Sequence, residues 1–284
     1  MKLPHSPLKP KKDYILSSSY NILLEKRGVE MRIISWNVNG IRAVVKKGFW
    51  DWFNQELPDI LCFQETKAQP DQLDDALINP PGYYASYHSA EKKGYSGVAM
   101  WSKVKPLSVE SDILEPEFDD EGRTICAEFE DFYLYGVYFP NGQSRDDRLH
   151  YKLRFYESLL KHMKKKMQYK PIIVVGDYNT AHTSIDLARP KANETVSGFL
   201  PEERVWVDAY LDAGLVDTFR KEHPDMAGYY SWWSYRANAR VNNVGWRIDY
   251  FLVDQRLESV VESSNIYPDI TGSDHCPIGL TLRK

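Results

Sequence analysis

A layered α/β or α+β domain, with two sheets packed face to face and helices outside, is the fold class this sequence predicts. Short apolar stretches recur between turns from residue 31 onward, and a few stretches with helical spacing interrupt them. In addition, the apolar stretches 124–129 and 133–139 lie too close together for a parallel crossover, so that pair reads as an antiparallel hairpin. Periodicity alone does not separate two stacked sheets from one doubly wound parallel sheet.

Taken in order, the first strand is 32–37, within "MRIISW", and "GFWDWFNQEL" (48–57) follows as a helix. Strands are expected at 60–64, 97–102, 124–129 and 133–139. A long helix then spans 148–167, where Leu149, Leu153, Tyr156, Leu160, Met163 and Met167 recur at spacings of 4, 3, 4, 3 and 4. That stripe is core, and the lysines at 161–166 that end it suit the negative end of the helix dipole. "PIIVVGDYNTAH" (171–182) opens as a buried strand, 172–177, and turns polar at once. A helix from about Pro201 to Ala213 has proline in its first turn and Gly214 as its stop. Strands at 247–253 and 276–282 complete the pattern.

Composition sets the limits. With 43% hydrophobic residues, 284 residues can bury one sizeable core. No apolar run approaches the roughly 20 residues of a membrane helix, so no membrane association is expected. Cys62, Cys126 and Cys276 are scattered without a CxxC pair, which indicates a reducing compartment and buried thiols. The expected location is the cytoplasm, at the nucleoid in a prokaryote, or the nucleus in a eukaryote. Net charge is −4, so any basic surface must be local. Residues 141–170 carry nine Lys/Arg against three acids, and 231–248 carry Arg236, Arg240 and Arg247 with no acid. Residues 1–30, Pro-, Lys- and Ser-rich at first, have no secretory h-region and read as an appendage: a mobile arm or an overlong start, with Met31 as the alternative start. Residues 31–284 form a single domain, expected to be monomeric.

Polar residues gather where strands end. Asn37 and Asn39 follow the first strand, Glu65 ends "DILCFQE", and "YFPN" places Tyr138 and Asn141. Asp177 and Asn179 end 172–177, Asp249 falls within "WRIDYFLV", and Asp274 and His275 precede the last strand. For any one of these a structural role is the simpler reading: Asp177 or Asp274 capping a turn, Glu65 paired with Lys67, His275 a hydrogen-bonded core histidine. Six such cases are harder to dismiss, because buried unpaired carboxylates are costly. Brought together on one rim they form a pocket of carboxylates and carboxamides with one histidine. Oxygen donors without cysteine suit Mg²⁺ or Mn²⁺ rather than Zn²⁺. No Ser or Cys sits in a nucleophile-elbow motif, so the chemistry read here is direct attack of water on a phosphodiester.

At these residues the chain closely resembles the exonuclease III family of apurinic/apyrimidinic (AP) endonucleases. "ISWNVNGIRA", "PDILCFQETK", "GYSGVAM", "YFPNG", "GDYNTAHTSIDLARPK", "SGFLPEER", "WWSYRANARVNNVGWRIDYFLV" and "GSDHCPIGL" occur in family order from Met31 almost to the end. Motifs such as GSDH recur across a wider phosphoesterase superfamily, whereas the ordered set is highly specific. The resemblance implies a four-layer α/β sandwich of the endonuclease/exonuclease/phosphatase type, two mixed sheets flanked by helices. It implies a Mg²⁺-dependent DNA repair nuclease cutting 5′ to abasic sites in duplex DNA, with 3′→5′ exonuclease and 3′-end-cleaning activity. Carried over residue by residue, Glu65 is the principal metal ligand with Asn37 beside it, and Mn²⁺ is expected to substitute. Asp177 orients or deprotonates the water, or protonates the leaving oxygen; Asp177 and Asn179 also count among the metal-site residues. Asn179 and Asn141 hold the phosphate, His275 held by Asp249 donates to a non-bridging oxygen, and Tyr138 helps stabilise the transition state. Asp274 is a second metal-site or orienting carboxylate. Asn39 stands where some members have Asp, which leaves open whether one or two metals bind.

"SWWSYRANARVNNVGW" contains four aromatics, Trp232, Trp233, Tyr235 and Trp246, two arginines and no acid. Packing is the reading for Trp233. The resemblance makes Trp232 and Trp246 a wall for a flipped abasic sugar, with Arg236 reaching into the duplex and Arg42 and Lys67 contacting phosphates. This wall is not expected in relatives acting on inositol phosphates or sphingomyelin. Trp at 232, in place of a smaller aromatic, suggests tolerance for deoxyuridine. A non-catalytic DNA-binding module is the other class of function weighed, and the intact polar rim argues against it.

Overall fold

The computed structural model describes residues 30–112, 114–143 and 146–283; the expectation for 1–30 as an appendage falls almost wholly outside them. Among the described residues, no helix is long and apolar enough to cross a membrane.

Among the described residues, twelve strands form two six-stranded sheets. The first sheet contains β1 (Glu30–Asn37), β2 (Ile60–Gln64), β3 (Tyr84–His88), β4 (Val98–Ser102), β11 (Val261–Ile266) and β12 (Ile278–Arg283), in the order β11-β12-β1-β2-β4-β3. The second contains β5 (Ser108–Glu110), β6 (Thr124–Glu128), β7 (Tyr133–Tyr138), β8 (Ile172–Asp177), β9 (Leu215–Asp217) and β10 (Asp249–Asp254), in the order β5-β6-β7-β8-β10-β9. The 124–129 and 133–139 stretches do form an antiparallel pair, with Cys126 opposite Tyr135. Each sheet has a parallel pair near its centre, β1 with β2 and β7 with β8. Parallel neighbours need a crossover. Helices Ile41–Val45 and Phe49–Glu56 supply the first, and the amphipathic helix Asp146–Lys166 supplies the second.

Three apolar layers hold this together. Between the sheets, Ile33, Cys62, Val98 and Leu280 meet Ala127, Leu134, Val175 and Phe251. Outside the second sheet, Phe155, Leu159 and Met163 of the long helix, with Tyr210 of the helix Pro201–Asp212, cover Tyr135, Val137 and Val174. Outside the first, Val44, Phe49 and Phe53 cover Trp36, Phe63 and Trp101. The result is the four-layer sandwich. All three cysteines are buried and free, and burial raises their thiol pKa values.

Two of the boundaries that differ from the expected ones bear on the rim. Asp249 is not mid-strand: β10 begins on it. The preceding backbone is held elsewhere, with Arg247 N donating to the Asp186 carbonyl at 2.6 Å and Ile248 N to Ser231 Oγ at 3.1 Å. The last strand begins at Ile278 rather than 276, because Cys276 N bonds the Ser231 carbonyl at 2.8 Å and Pro277 has no N–H to give.

Parallel strands bring their C-terminal ends to one rim. At that rim Gly176 (φ 146) runs so close to β7 that a Cβ there would lie 1.8 Å from the Val137 carbonyl oxygen, which only glycine allows. A buried ion network holds the other side. The Arg247 guanidinium donates to Asp186 at 2.7 Å and to both oxygens of Asp217 at 3.1 and 2.7 Å, and Arg220 donates to Asp186 at 2.6 Å. Burial opposes the Asp186 charge, but the two guanidiniums prevail and hold its pKa well below the usual carboxylate range. Removing one partner strands the rest. Arg247→Met is expected to cost about 3–5 kcal/mol, read as a lower urea midpoint, and an unchanged midpoint would contradict this account.

Candidate active site

Each polar residue at the rim is delivered by a strand end. Asn37 closes β1, Glu65 follows β2, Tyr138 closes β7, Asp177 closes β8 and Asp249 opens β10 opposite it. Asn37 is fully buried, and its Nδ2 donates to Glu65 Oε1 at 3.1 Å and to Asp177 Oδ2 at 2.8 Å. Its Oδ1 accepts from Asn39 N at 3.0 Å. Asn37 thus turns its amide nitrogen towards Glu65 and bridges two carboxylates.

Asp177 is also held by Asn179, whose backbone N donates to Oδ1 at 2.8 Å. Asn179 Nδ2 donates to the Phe139 carbonyl at 2.9 Å, and its Oδ1 accepts from Asn141 Nδ2 at 3.3 Å. His275 Nδ1 lies 2.8 Å from Asp249 Oδ2, and His275 Nε2 lies 3.7 Å from Asp177 Oδ2. Ser231, which the sequence reading did not single out, donates to Asp249 Oδ2 at 2.6 Å and accepts the N–H of Ile248 and Asp249, both at 3.1 Å. Burial and the facing Glu65 carboxylate raise the Tyr138 phenol pKa, and its ring lies under the buried Arg123 guanidinium, 4.7 Å from the ring centre.

Lys67 Nζ lies 2.5 Å from Glu65 Oε2 and 2.5 Å from Asn39 Oδ1, so the Glu65–Lys67 pair weighed from sequence is present. Asn39 Nδ2 continues to Asp274 Oδ1 at 2.9 Å, and Trp232 Nε1 reaches Asp274 Oδ2 at 3.1 Å. Glu65, Asn39, Lys67, Asn141, Asn179, Trp232, Trp246, Arg236, Asp274 and His275 line one cavity of about 940 Å³. Trp232 and Trp246 meet edge to face, ring centres 6.3 Å apart, and exchange backbone hydrogen bonds at 2.9 Å each way. Trp233 is buried packing under Arg240. Arg42 is exposed on Ile41–Val45 and does not line the cavity.

Burial pushes the Asp177 carboxyl up to about 7, with Asp249 adding to the rise and His275 opposing it. Burial works against the His275 imidazolium, but Asp249 and Asp177 together outweigh it and raise its pKa to about 10. Glu65 moves the other way: burial would raise it, and Lys67 with its hydrogen-bond donors lowers it.

Asp177, Asp249 and His275 offer ligand atoms within 4.8 Å of one another and could hold a metal ion. The sequence reading had Asp177 in a metal set with Glu65, Asn37, Asn179 and Asp274, and kept Asp249 and His275 apart. The raised imidazole pKa favours a proton at the Asp177/Asp249/His275 group. Glu65, a carboxylate paired with Lys67, has the donor chemistry that fits a hard cation.

In metal-free protein the native state keeps the His275 proton after an unfolded imidazole, near 6.5, has released it. That stabilisation is complete below about pH 6.5 and is lost as pH rises towards 10. Urea midpoints of metal-free protein should fall across this range, and Asp249→Asn should flatten the fall; a flat wild-type profile would refute the assignment.

Residues 34–275 match the Endonuclease/Exonuclease/phosphatase family. The chain is 47% identical over 253 residues to an exodeoxyribonuclease of Bacillus subtilis, covering 89% of this chain and 99% of that protein. It is 45% identical over 258 residues to the DNA repair nuclease APEX1 of Danio rerio, covering 90% and 83% respectively. Among solved structures, the AP endonuclease LMAP from Leishmania major superposes with a TM-score of 0.81 at 32% identity, covering 90% of this chain and 88% of that one.

Proposed function

Since the chain belongs to the Endonuclease/Exonuclease/phosphatase family and is a phosphodiester hydrolase of the exodeoxyribonuclease and AP endonuclease class, we propose that it hydrolyses, with Mg²⁺, the phosphodiester 5′ to an abasic site in duplex DNA. The proposal includes 3′→5′ exonuclease and 3′-end-cleaning activity on DNA ends. The observation that carries it is the joining, in one cavity, of a polar rim to an aromatic wall, Trp232 and Trp246.

Glu65 would hold the cation, with Mn²⁺ able to replace Mg²⁺, and the bound ion would neutralise charge on the phosphate as a Lewis acid. The chain's own groups do the rest. Asn179 and Asn141 grip the phosphate through their amides. His275, kept protonated by Asp249, donates from Nε2 to a non-bridging oxygen as charge develops there. Asp177, with its pKa raised to about 7, exchanges a proton with the attacking water or the departing 3′ oxygen near neutral pH. Tyr138, facing Glu65, adds a donor to the transition state. Asp274, both oxygens already accepting from Asn39 and Trp232, acts as an orienting carboxylate. Lys67 and Arg236 face the duplex from the cavity, and Arg42 meets its backbone from the exposed helix.

A labelled duplex with one tetrahydrofuran abasic analogue tests this. A single nick just 5′ of the analogue, present with Mg²⁺ and absent with EDTA, is expected; that analogue cannot β-eliminate, so a lyase gives none. Asp177→Asn and His275→Ala should each slow the nick by about 10²–10⁴-fold while duplex binding survives. Loss of binding along with cleavage would place these residues in the fold instead.

We also propose that the cavity accepts deoxyuridine. Trp232 is tied by its indole N–H to Asp274 at 3.1 Å, a bond that phenylalanine cannot make, and this fixes the wall's position. Slow nicking 5′ of uracil in duplex DNA is expected. An untouched uracil duplex, under conditions that fully cut the abasic one, ends this part of the proposal.

A further inference from the structure

Behind the phosphate-facing rim lies an ion pair that no step above uses. Lys152 is fully buried, inside the long helix Asp146–Lys166, and its Nζ donates to Glu203 Oε1 at 2.7 Å and to the Asn179 carbonyl at 2.7 Å. Glu203 is fully buried as well, in the first turn of Pro201–Asp212. Its Oε1 also accepts from Ser197 Oγ at 2.7 Å, and its Oε2 accepts from Gly198 N and, at 3.1 Å, from Leu200 N.

The pair therefore holds two segments of the cavity at once. One is Asn179, whose backbone is left-handed (φ 51) and whose carbonyl must be pinned to keep that turn. The other is the 197–200 loop, which meets the wall: a Cβ on Gly198 would lie 3.0 Å from the Trp246 ring and 3.3 Å from the Asn179 carbonyl oxygen. Gln143 closes the circuit, with its Nε2 donating to the Ser197 carbonyl at 3.3 Å and its backbone N to Asn141 Oδ1 at 2.8 Å. Asn141 in turn donates to Asn179 at 3.3 Å.

We propose that Lys152 is a positioning residue for phosphodiester cleavage, holding the Asn179 amide against the scissile phosphate, and that Glu203 sets the distance between that amide and the Trp246 wall. The inference rests on the nuclease reading above. A cation serves here better than a neutral donor because one ammonium can satisfy a carbonyl and a carboxylate together. The pair is costly to bury, so its retention directly behind the rim, where apolar packing would stabilise the fold as well, points to geometry rather than stability.

The test compares wild type, Lys152→Met, Lys152→Arg and the uncharged double variant Lys152→Met with Glu203→Gln on the tetrahydrofuran duplex. The double variant leaves no buried charge unpaired, so it carries the test if the single one fails to fold. Expected for the double variant is a kcat per folded molecule lower by about 10–100-fold, with KM and EDTA-state duplex affinity within about threefold of wild type. Lys152→Arg, which keeps a cationic donor, should recover most of kcat. A lower thermal midpoint with unchanged kcat per folded molecule would make the pair purely structural and overturn the inference. Failure of wild type itself to nick would instead overturn the nuclease reading on which it rests.

Discussion

One side-chain amide joins the two sheets at the rim. Asn37 belongs to the first sheet, and its Nδ2 donates to Asp177 of the second at 2.8 Å and to Glu65 at 3.1 Å. Its Oδ1 takes the Asn39 N–H, and its main-chain carbonyl takes Ser273 Oγ at 2.8 Å. A buried amide with its groups engaged is specific about where its partners must be, because a shift of either sheet leaves a polar atom unpaired in a low-dielectric setting. The separation of Glu65 from Asp177, and through Ser273 the approach of the His275 segment, follow from this residue. Apolar packing between the sheets brings them together; Asn37 sets their register at the one edge where register matters to chemistry.

The rim is also where the backbone is least relaxed. Asn39, Glu65, Lys67 and Asn179 have φ of 46°, 54°, 50° and 51°. Each such residue costs on the order of 1–3 kcal/mol unless its surroundings enforce it. Here they do. Gly40 N bonds the Glu65 carbonyl at 2.7 Å, Lys67 N bonds the Ser96 carbonyl at 2.9 Å, and Lys152 bonds the Asn179 carbonyl. The turns aim these side chains at the rim from a fixed backbone. Order is imposed beforehand, so less must be supplied when a substrate arrives.

How much of this could be read from residues alone depended on whether a signal was local. Strands buried on both faces, such as Ile172–Asp177, appear as unbroken apolar runs and were legible. β11, "VESSNI", is polar at most positions, and β5 and β9 are three residues each, so none has a run to detect. Polar residues at strand ends marked the rim because an apolar strand has little other use for them. Ser231 carried no such mark, since its role arises only when Asp249 folds back onto it. Lys152 did leave a trace that went unused. It lies three residues after Leu149 and four before Tyr156, so a charge sits on the apolar stripe of its own helix. The tie between Trp232 and Asp274 is purely tertiary and 42 residues long, beyond what spacing reveals.

The two sheets follow the same plan. Read outward from the parallel pair, β1-β2-β4-β3 in one matches β8-β7-β6-β5 in the other, and β12-β11 matches β10-β9. The correspondence places Asn37 at the end of β1 with Asp177 at the end of β8, Glu65 after β2 with Tyr138 at the end of β7, and His275 before β12 with Asp249 at the start of β10. Across the gap between the sheets Asn37 bonds Asp177 and His275 bonds Asp249, while Glu65 faces Tyr138. An approximate dyad therefore relates the two sheets about the rim, although no repeat survives in the residues. The chemistry is an asymmetric decoration of a symmetric seam: an amide faces an acid, an acid faces a phenol, and an imidazole faces an acid. Neither sheet alone holds a working fragment of the rim, because each of these three pairs takes one member from each sheet.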